Sequence, residues 1–513
     1  MRLLDPGPRA LGPVELRLRI PRMTTRTLLL AALQALWAPT IRAAAQDFED
    51  PAPPRREVLE AMESPGAADH PDLTVRGEPR ALSASAVTED WPSFRGPRRD
   101  GRSRETRLLV DWPESGPELL WEVARGSGFT SPVIVGDRLV MAHRQRDRIH
   151  VDCLHPETGR RYWRHSYETD YRPRYISDDG PSSTPTIHGD RVYLQGLQNQ
   201  LMCLELETGR VVWQRDLGKE FGLREGFFGV VSSPLVHGDL LIVNAGPPAR
   251  SVMAFDLLTG KVAWAVGSEW GASCASPIVG TVGGKERLFV LTGGESRPPT
   301  GGLMVLDPVT GALEFTHPFR SRTSESVNGA TPVLGEDSVY LTAAYGVGTS
   351  RLSLTADKMD RDWHTRRLGI EFSTPILDGD RLWMVDGRSD RAGAVVSLDI
   401  ATGLELTRTD LSWEEETIYR GGRRELSIGL GAGSLLHVEG KLLVLGDNGH
   451  LAWLEPGDEG VEVLASAWLF GANKTWTPPV ISHGLLYVCQ NTPERFGDAR
   501  RPPRLLCYDL RGE

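Results

Sequence analysis

The sequence predicts an all-β chain folded as an eight-bladed β-propeller, each blade a four-stranded antiparallel sheet. A Thr-Gly step recurs at Gly159, Gly209, Gly260, Gly311 and Gly403, at intervals of 50, 51 and 51 residues and then 92, so one copy has lost it. A fixed period of this size marks stacked structural repeats. A Ser/Thr-Pro step opens the units at Pro132, Pro185, Pro234, Pro277, Pro332, Pro375 and Pro478, and Ser434-Leu435 opens a copy without proline. That makes eight units of about 49 residues. Within each unit, short apolar runs are separated by turn residues, the pattern of a propeller blade.

Residues 1–45 are read as an export signal whose true start is Met23. Arg26 supplies a positive leader, Leu28 to Trp37 an apolar stretch, and Ala43-Ala44-Ala45 a small-residue cleavage site. The stretch is too short to span a bilayer, which needs about twenty apolar residues. No cysteine follows it for lipid attachment. Residues 46–90 read as a flexible linker, with Pro51-Ala52-Pro53-Pro54 and few large apolar side chains, and room for a short helix over Glu57 to Met62. The propeller is expected over 91–513.

The second unit shows the blade most clearly. Strand A covers Ser183 to His188, and Gly189-Asp190 makes a two-residue turn. Strand B covers Arg191 to Leu194 and strand C Leu201 to Glu205. Thr208-Gly209 turns the chain into strand D, Val211 to Arg215. The eighth unit stops after strand C at Leu506 to Leu510. Leu119-Leu120-Trp121-Glu122-Val123 resembles the strand D segments, so the N-terminal region is expected to complete the last blade. Such closure leaves no exposed edge between the first and last blades.

An aromatic follows the Thr-Gly turn by four residues: Gly159 with Trp163, Gly209 with Trp213, Gly260 with Trp264, Gly311 with Phe315. Repetition at equivalent positions points to blade-to-blade packing rather than ligand stacking. Cys153, Cys203 and Cys507 share one slot of three repeats and read as small buried hydrophobes. Cys489 and Cys507 stand on neighbouring strands, where an oxidising compartment would allow a bridge. His188, His237 and His483 recur at the A–B turn, on different blades, so they are not ligands of one metal.

The pattern Cys203-Leu204-Glu205-Leu206-Glu207-Thr208-Gly209 followed by Trp213 resembles the PQQ-like β-propeller repeat. That is the docking motif of quinoprotein dehydrogenases, and it recurs in the BamB-like outer-membrane assembly lipoproteins. The resemblance covers about residues 91–513. Trp91-Pro92-Ser93-Phe94-Arg95-Gly96-Pro97-Arg98-Arg99-Asp100-Gly101 also resembles the start of exported bacterial propellers of this kind. The resemblance implies the fold, but the motif residues build blades and do not specify a cofactor. Quinoprotein dehydrogenases hold PQQ between a tryptophan and a disulfide of adjacent cysteines, beside calcium and a catalytic aspartate. This chain has no adjacent cysteines.

No catalytic, cofactor-binding or metal residue is therefore assigned, and no cofactor is expected. The reading is a monomeric binding scaffold of the periplasm or cell envelope with a protein partner. A PQQ- and calcium-dependent dehydrogenase, or another envelope enzyme with its site at the central channel, is the alternative. The net charge of −10 disfavours nucleic acid. Function is sought in the long connectors from strand D to the next strand A, since loops on a rigid scaffold carry binding. Arginine and aromatics are enriched in binding hot spots. The candidates are Arg224, Glu225, Phe227 and Phe228; Arg322, Glu325 and Asn328; Arg420, Arg423 and Arg424; and Asn473, Lys474 and Trp476. Asp178-Asp179 and Glu414-Glu415-Glu416 read as solvated carboxylates.

Overall fold

A computed structural model describes residues 50, 54–56, 66–173, 179–226, 228–247, 250–324, 326–387, 393–419, 421–496 and 500–512. The export signal, the helix expected over 57–62, and Asp178, Phe227, Glu325 and Arg420 lie outside them. The described chain forms eight sheets, each with four antiparallel strands at its core, consecutive along the chain in all but the last. The fold is an eight-bladed propeller. Blade 2 is typical, with Thr186–His188, Arg191–Gln195, Gln200–Glu205 and Val211–Asp216 as strands A to D. In blade 8, Glu118–Ala124 pairs antiparallel with Arg504–Asp509 and supplies strand D, so the N-terminal region closes the ring.

One slot explains the repeat. In all eight blades the C–D ladder carries a register shift at the same point. At that rung a tryptophan on strand D faces a small residue on strand C in four blades: Trp163 faces Cys153, Trp213 faces Cys203, Trp264 faces Ala254 and Trp121 faces Cys507. The cysteines make room for the ring, as close packing requires. Each ring then covers the Thr-Gly turn of the next blade. A Cβ on Gly159, Gly209, Gly260, Gly311 or Gly403 would stand 2.4–2.8 Å from Trp121, Trp163, Trp213, Trp264 or Trp363 respectively. Gly209 also sits at φ +71°, where a side chain is strained. The Trp213 indole N–H donates to Leu257 O at 2.9 Å, tying blade 2 to blade 3.

Blades 6 and 7 break the slot. Blade 6 has Ser397 opposite Thr407, with Trp383 moved to strand B. Blade 7 has Trp453 on strand C opposite Ala465 on strand D. All five cysteines are free. Cys489 pairs with Leu505 and Cys507 with Tyr487, so the two stand two rungs apart and the bridge considered from the sequence does not form.

The segment ahead of the ring is held mostly by backbone pairing and charge, with Leu73 packed on the blade 8 core, which is why composition reads it as a linker. Arg55 and Arg56 pair with Gln214 and Trp213 on blade 2. Ala68 bridges Arg161 on blade 1. Leu73–Val75 pairs with Glu118–Ala124 on blade 8, and the Arg80 guanidinium meets Asp509 at 2.8 Å. These contacts cover outer edges that would otherwise expose unpaired N–H and C=O groups.

Candidate functional site

The Ser/Thr-Pro steps surround the central channel, and their hydroxyls link the blades. Thr184 Oγ1 accepts from Ser131 N, Ser233 Oγ from Thr184 N, Ser276 Oγ from Ser233 N, and Thr374 Oγ1 from Thr331 N, each at 3.0 Å. This is why the regular part of strand A starts later than its motif. The channel is filled from one end by Trp91 to Ser103. Trp91 exchanges both backbone bonds with Ile134 of blade 1, and Arg102–Ser103 runs parallel to His437 and Val438 of blade 7. Arg95 and Arg99 enter the channel fully desolvated. Arg95 donates to Thr374 O at 3.2 Å and Asp100 O at 2.7 Å. Arg99 donates to Pro277 O and Thr186 Oγ1, each at 3.2 Å, and to Pro234 O. Burial lowers the guanidinium pKa to about 10 for Arg95 and about 9 for Arg99, so both stay charged at neutral pH.

The other end is covered by aromatic residues from the D-to-A connectors. Trp476 stacks between Phe129 and Phe372, with ring centroids 5.2 and 5.8 Å away, and Phe228 meets Phe372 edge-on at 5.9 Å. Below them remains a cavity of about 120 Å³ with Phe94 and Arg95 in its lining. No carboxylate lines it among the described residues. The sequence reading missed Phe129 and Phe372. The signal was present, since both stand just ahead of a Ser/Thr-Pro step, as Trp476 does.

The other candidates scatter. Asn328 is fully buried, and its amide donates to Thr292 O and Phe319 O at 2.7 Å, so it stitches its own connector instead of facing a partner. Arg224, Glu225 and Arg322 are exposed. Glu225 accepts from Gln198 Nε2 at 2.7 Å beside a polar cleft of about 1,530 Å³, whose charges are of both signs. Asn473 and Lys474 share a cleft of about 680 Å³ with Tyr419 and Arg495.

Arg423 and Arg424 lie on a feature that the sequence treated as a loop. Strand D of blade 6, Glu405–Tyr419, runs past its blade, and from Ser412 onward it pairs only with Gly422–Gly429. The ladder from Ser412–Gly429 to Tyr419–Gly422 is a projecting hairpin. Its strands carry charges on both faces, so no apolar alternation marks them. At the base, His450 is sandwiched between Trp413 at 4.4 Å and Trp468 at 5.3 Å, both rings nearly parallel to it. Burial lowers the His450 pKa to about 3, leaving it neutral with Nε2 3.0 Å from Glu415 Oε1. The Glu415 carboxyl is pushed up by burial and by Glu114. Arg423 pairs with Glu416 at 3.1 Å. No group of His, Cys, Asp and Glu among the described residues could hold a metal ion, and no described helix is long and apolar enough to cross a membrane.

Comparison with known proteins places this architecture. The family described as outer membrane protein assembly factor BamB matches residues 147–409. A protein of that name from Burkholderia pseudomallei (strain K96243) is 24% identical over 311 residues, 53% of this chain and 77% of its own length. The glycerol dehydrogenase large subunit of Gluconobacter oxydans (strain 621H) is 23% identical over 266 residues, 44% of this chain but only 35% of that longer protein. The quinohemoprotein alcohol dehydrogenase structure from Comamonas testosteroni aligns with a TM-score of 0.55 and 13% identity, over 83% of this chain and 81% of that one. At that identity the likeness shows the fold alone.

Proposed function

The chain belongs to the family of the outer membrane protein assembly factor BamB, and on that footing we propose that it is an exported, non-catalytic scaffold of the cell envelope that binds a protein partner. The hairpin of blade 6 carries this reading. An isolated two-stranded hairpin is marginal in water, yet this one is kept and anchored by the Trp413–His450–Trp468 stack. Its outer strand, Gly422–Gly429, stands last in its sheet. It offers unpaired backbone groups for strand addition, with Arg423 and Arg424 exposed beside them. Tyr419, Asn473 and Lys474 would extend the contact into the neighbouring cleft.

The likeness to glycerol dehydrogenase keeps a PQQ-dependent enzyme as the second reading. The described channel residues do not fit that group. The cavity of about 120 Å³ is well below the roughly 300–1,000 Å³ of cofactor-sized sites. Among the described residues no carboxylate lines it to hold calcium, and Trp91 to Ser103 occupies the channel beneath it. These observations support the scaffold.

The test compares the full chain with a variant in which Glu414–Ser427 is replaced by Asn-Gly, joining Trp413 to Ile428, a paired rung. A photo-crosslinker at Arg423 or Arg424 is expected to trap one envelope partner, and the same probe at Lys358 on blade 5 is not. Loss of that partner from the shortened variant, read by co-purification without the probe, supports the proposal. A shortened variant that still recovers it in full sinks the proposal. Tight binding of PQQ with calcium, with dye-linked alcohol oxidation, would favour the enzyme.

A further inference from the structure

The channel cavity itself has a chemistry that the scaffold reading does not use. Two donors at its wall are buried without an acceptor: the Trp476 indole N–H and the Arg95 Nε–H. Arg95 is only 5% exposed. Its other nitrogens are held by backbone carbonyls, and neither it nor Arg99 makes a salt bridge among the described residues. Asp100 is the acidic group whose field reaches Arg95, but the structure pairs its carboxylate with Arg98 at 3.6 Å. A desolvated cation without a counter-ion is costly, and so is an unmet buried donor. An anion in the cavity would relieve both.

The size of the space narrows the ligand. A cavity of about 120 Å³ is close to the roughly 150 Å³ void that accepts benzene in another protein. The wall toward the connectors is aromatic, with Phe129, Phe228, Phe372 and Trp476 in the lining, and suits an apolar ring. We infer that this cavity binds a small single-ring aromatic carboxylate of the benzoate type, its carboxylate accepting from Arg95 and Trp476 and its ring packed among the connector aromatics.

The inference does not depend on the hairpin, and its test reads the cavity alone. The full chain is titrated with 4-fluorobenzoate and followed by fluorine NMR. Saturable broadening is expected, reversed by benzoate and reversed about tenfold less well by acetate or by benzyl alcohol, each of which lacks one half of the recognition. Val231→Trp fills the cavity while leaving Arg95 and the connector aromatics in place. It should abolish the broadening without lowering the melting temperature. If that variant does not fold, Trp476→Ala, which removes one donor and the central ring, should weaken binding by about tenfold or more. Absence of saturable broadening overturns the inference. So does competition by acetate equal to that by benzoate, or broadening as strong as in the full chain in whichever variant folds. The variant lacking the hairpin should bind 4-fluorobenzoate as the full chain does; loss of binding there places the ligand at the hairpin and overturns the cavity site.

Discussion

Blades 2 and 3 meet through their own repeat residues, centred on one ring over one glycine, whereas blades 7 and 8 also meet through borrowed chain. At the first junction Trp213 is fully buried over Gly260, and its N–H reaches Leu257 O. At the second, Trp453 stands on strand C, its N–H donates to Leu109 O at 3.1 Å, and Trp112 packs against it at 6.3 Å. Leu109 and Trp112 come from the segment that precedes the ring-closing strand. The blade 6–7 junction is different again: Trp383, Val395 and Leu411 of blade 6 share an apolar cluster with Leu442, Val444 and Leu454 of blade 7, and polar contacts are added, Val461 N donating to Thr409 Oγ1 at 3.1 Å and Arg381 pairing with Asp458 at 2.6 Å. Where the repeat is intact, its own residues dock the blades. Where it is lost, non-repeating chain takes over, and the projecting hairpin leaves from the same side of the ring.

The largest expected effect removes the borrowed chain altogether. A chain starting after Ala124 loses strand D of blade 8, the channel filler and the packing on Trp453. It should not fold cooperatively, as read by thermal melting followed by circular dichroism and by size-exclusion chromatography. A sharp melt at the full-chain temperature would show that the ring does not need its N-terminal strand.

Next comes one slot tested in two blades. Trp213→Ala removes a fully buried ring and its hydrogen bond and should cost about 3–5 kcal/mol. Thr407→Ala, at the same rung of blade 6, loses only a hydroxyl pair with Ser397 and should cost about 1 kcal/mol. Equal losses in urea titrations would mean that the two junctions are docked in the same way.

The same contrast sets what the sequence reveals. The Thr-Gly turns, the tryptophans and the cysteines recur because each blade solves the same packing problem, so blade count, strand order and ring closure are legible without coordinates. Arg95 and Arg99 were not legible as channel residues. They stand in a segment with no repeat partner, and most of their acceptors are backbone carbonyls, on blades 3, 4 and 6 and on Asp100 itself. The hairpin was read as loop because both its faces meet water. Phe129, Phe372 and Trp476 were half legible: their position before the Ser/Thr-Pro step is visible, but their meeting across the axis is a property of the closed ring.

A smaller effect links the hairpin to pH. His450 is ordinarily protonated below about 6.5 but holds its proton in the folded protein only below about 3, because burial opposes the charge. The unfolded chain therefore binds the extra proton across that window, and stability complete above pH 6.5 falls as pH drops towards 3. At pH 5 the loss is about 2 kcal/mol. Glu415, pushed up by burial, works in the opposite sense, so the comparison of variants isolates the histidine. His450→Phe keeps the stack with Trp413 and Trp468 and should flatten the decline in melting temperature between pH 6.5 and 5. An unchanged slope would mean that His450 is not the group being titrated.

The smallest stability effect is the most informative for function. Arg423 is exposed and pairs with Glu416 within the hairpin, and Arg424 is exposed beside it. Exposed pairs of this kind contribute little, so Arg423→Glu with Arg424→Glu should move stability by no more than about 0.5 kcal/mol. The same double change reverses the charge offered by the free strand and should abolish capture of the envelope partner. Trp213→Ala should do the reverse, lowering stability while leaving capture intact at temperatures where the protein remains folded. If the charge reversal leaves capture unchanged, the partner does not read the hairpin, and the departure from the repeat at blade 6 is architectural only.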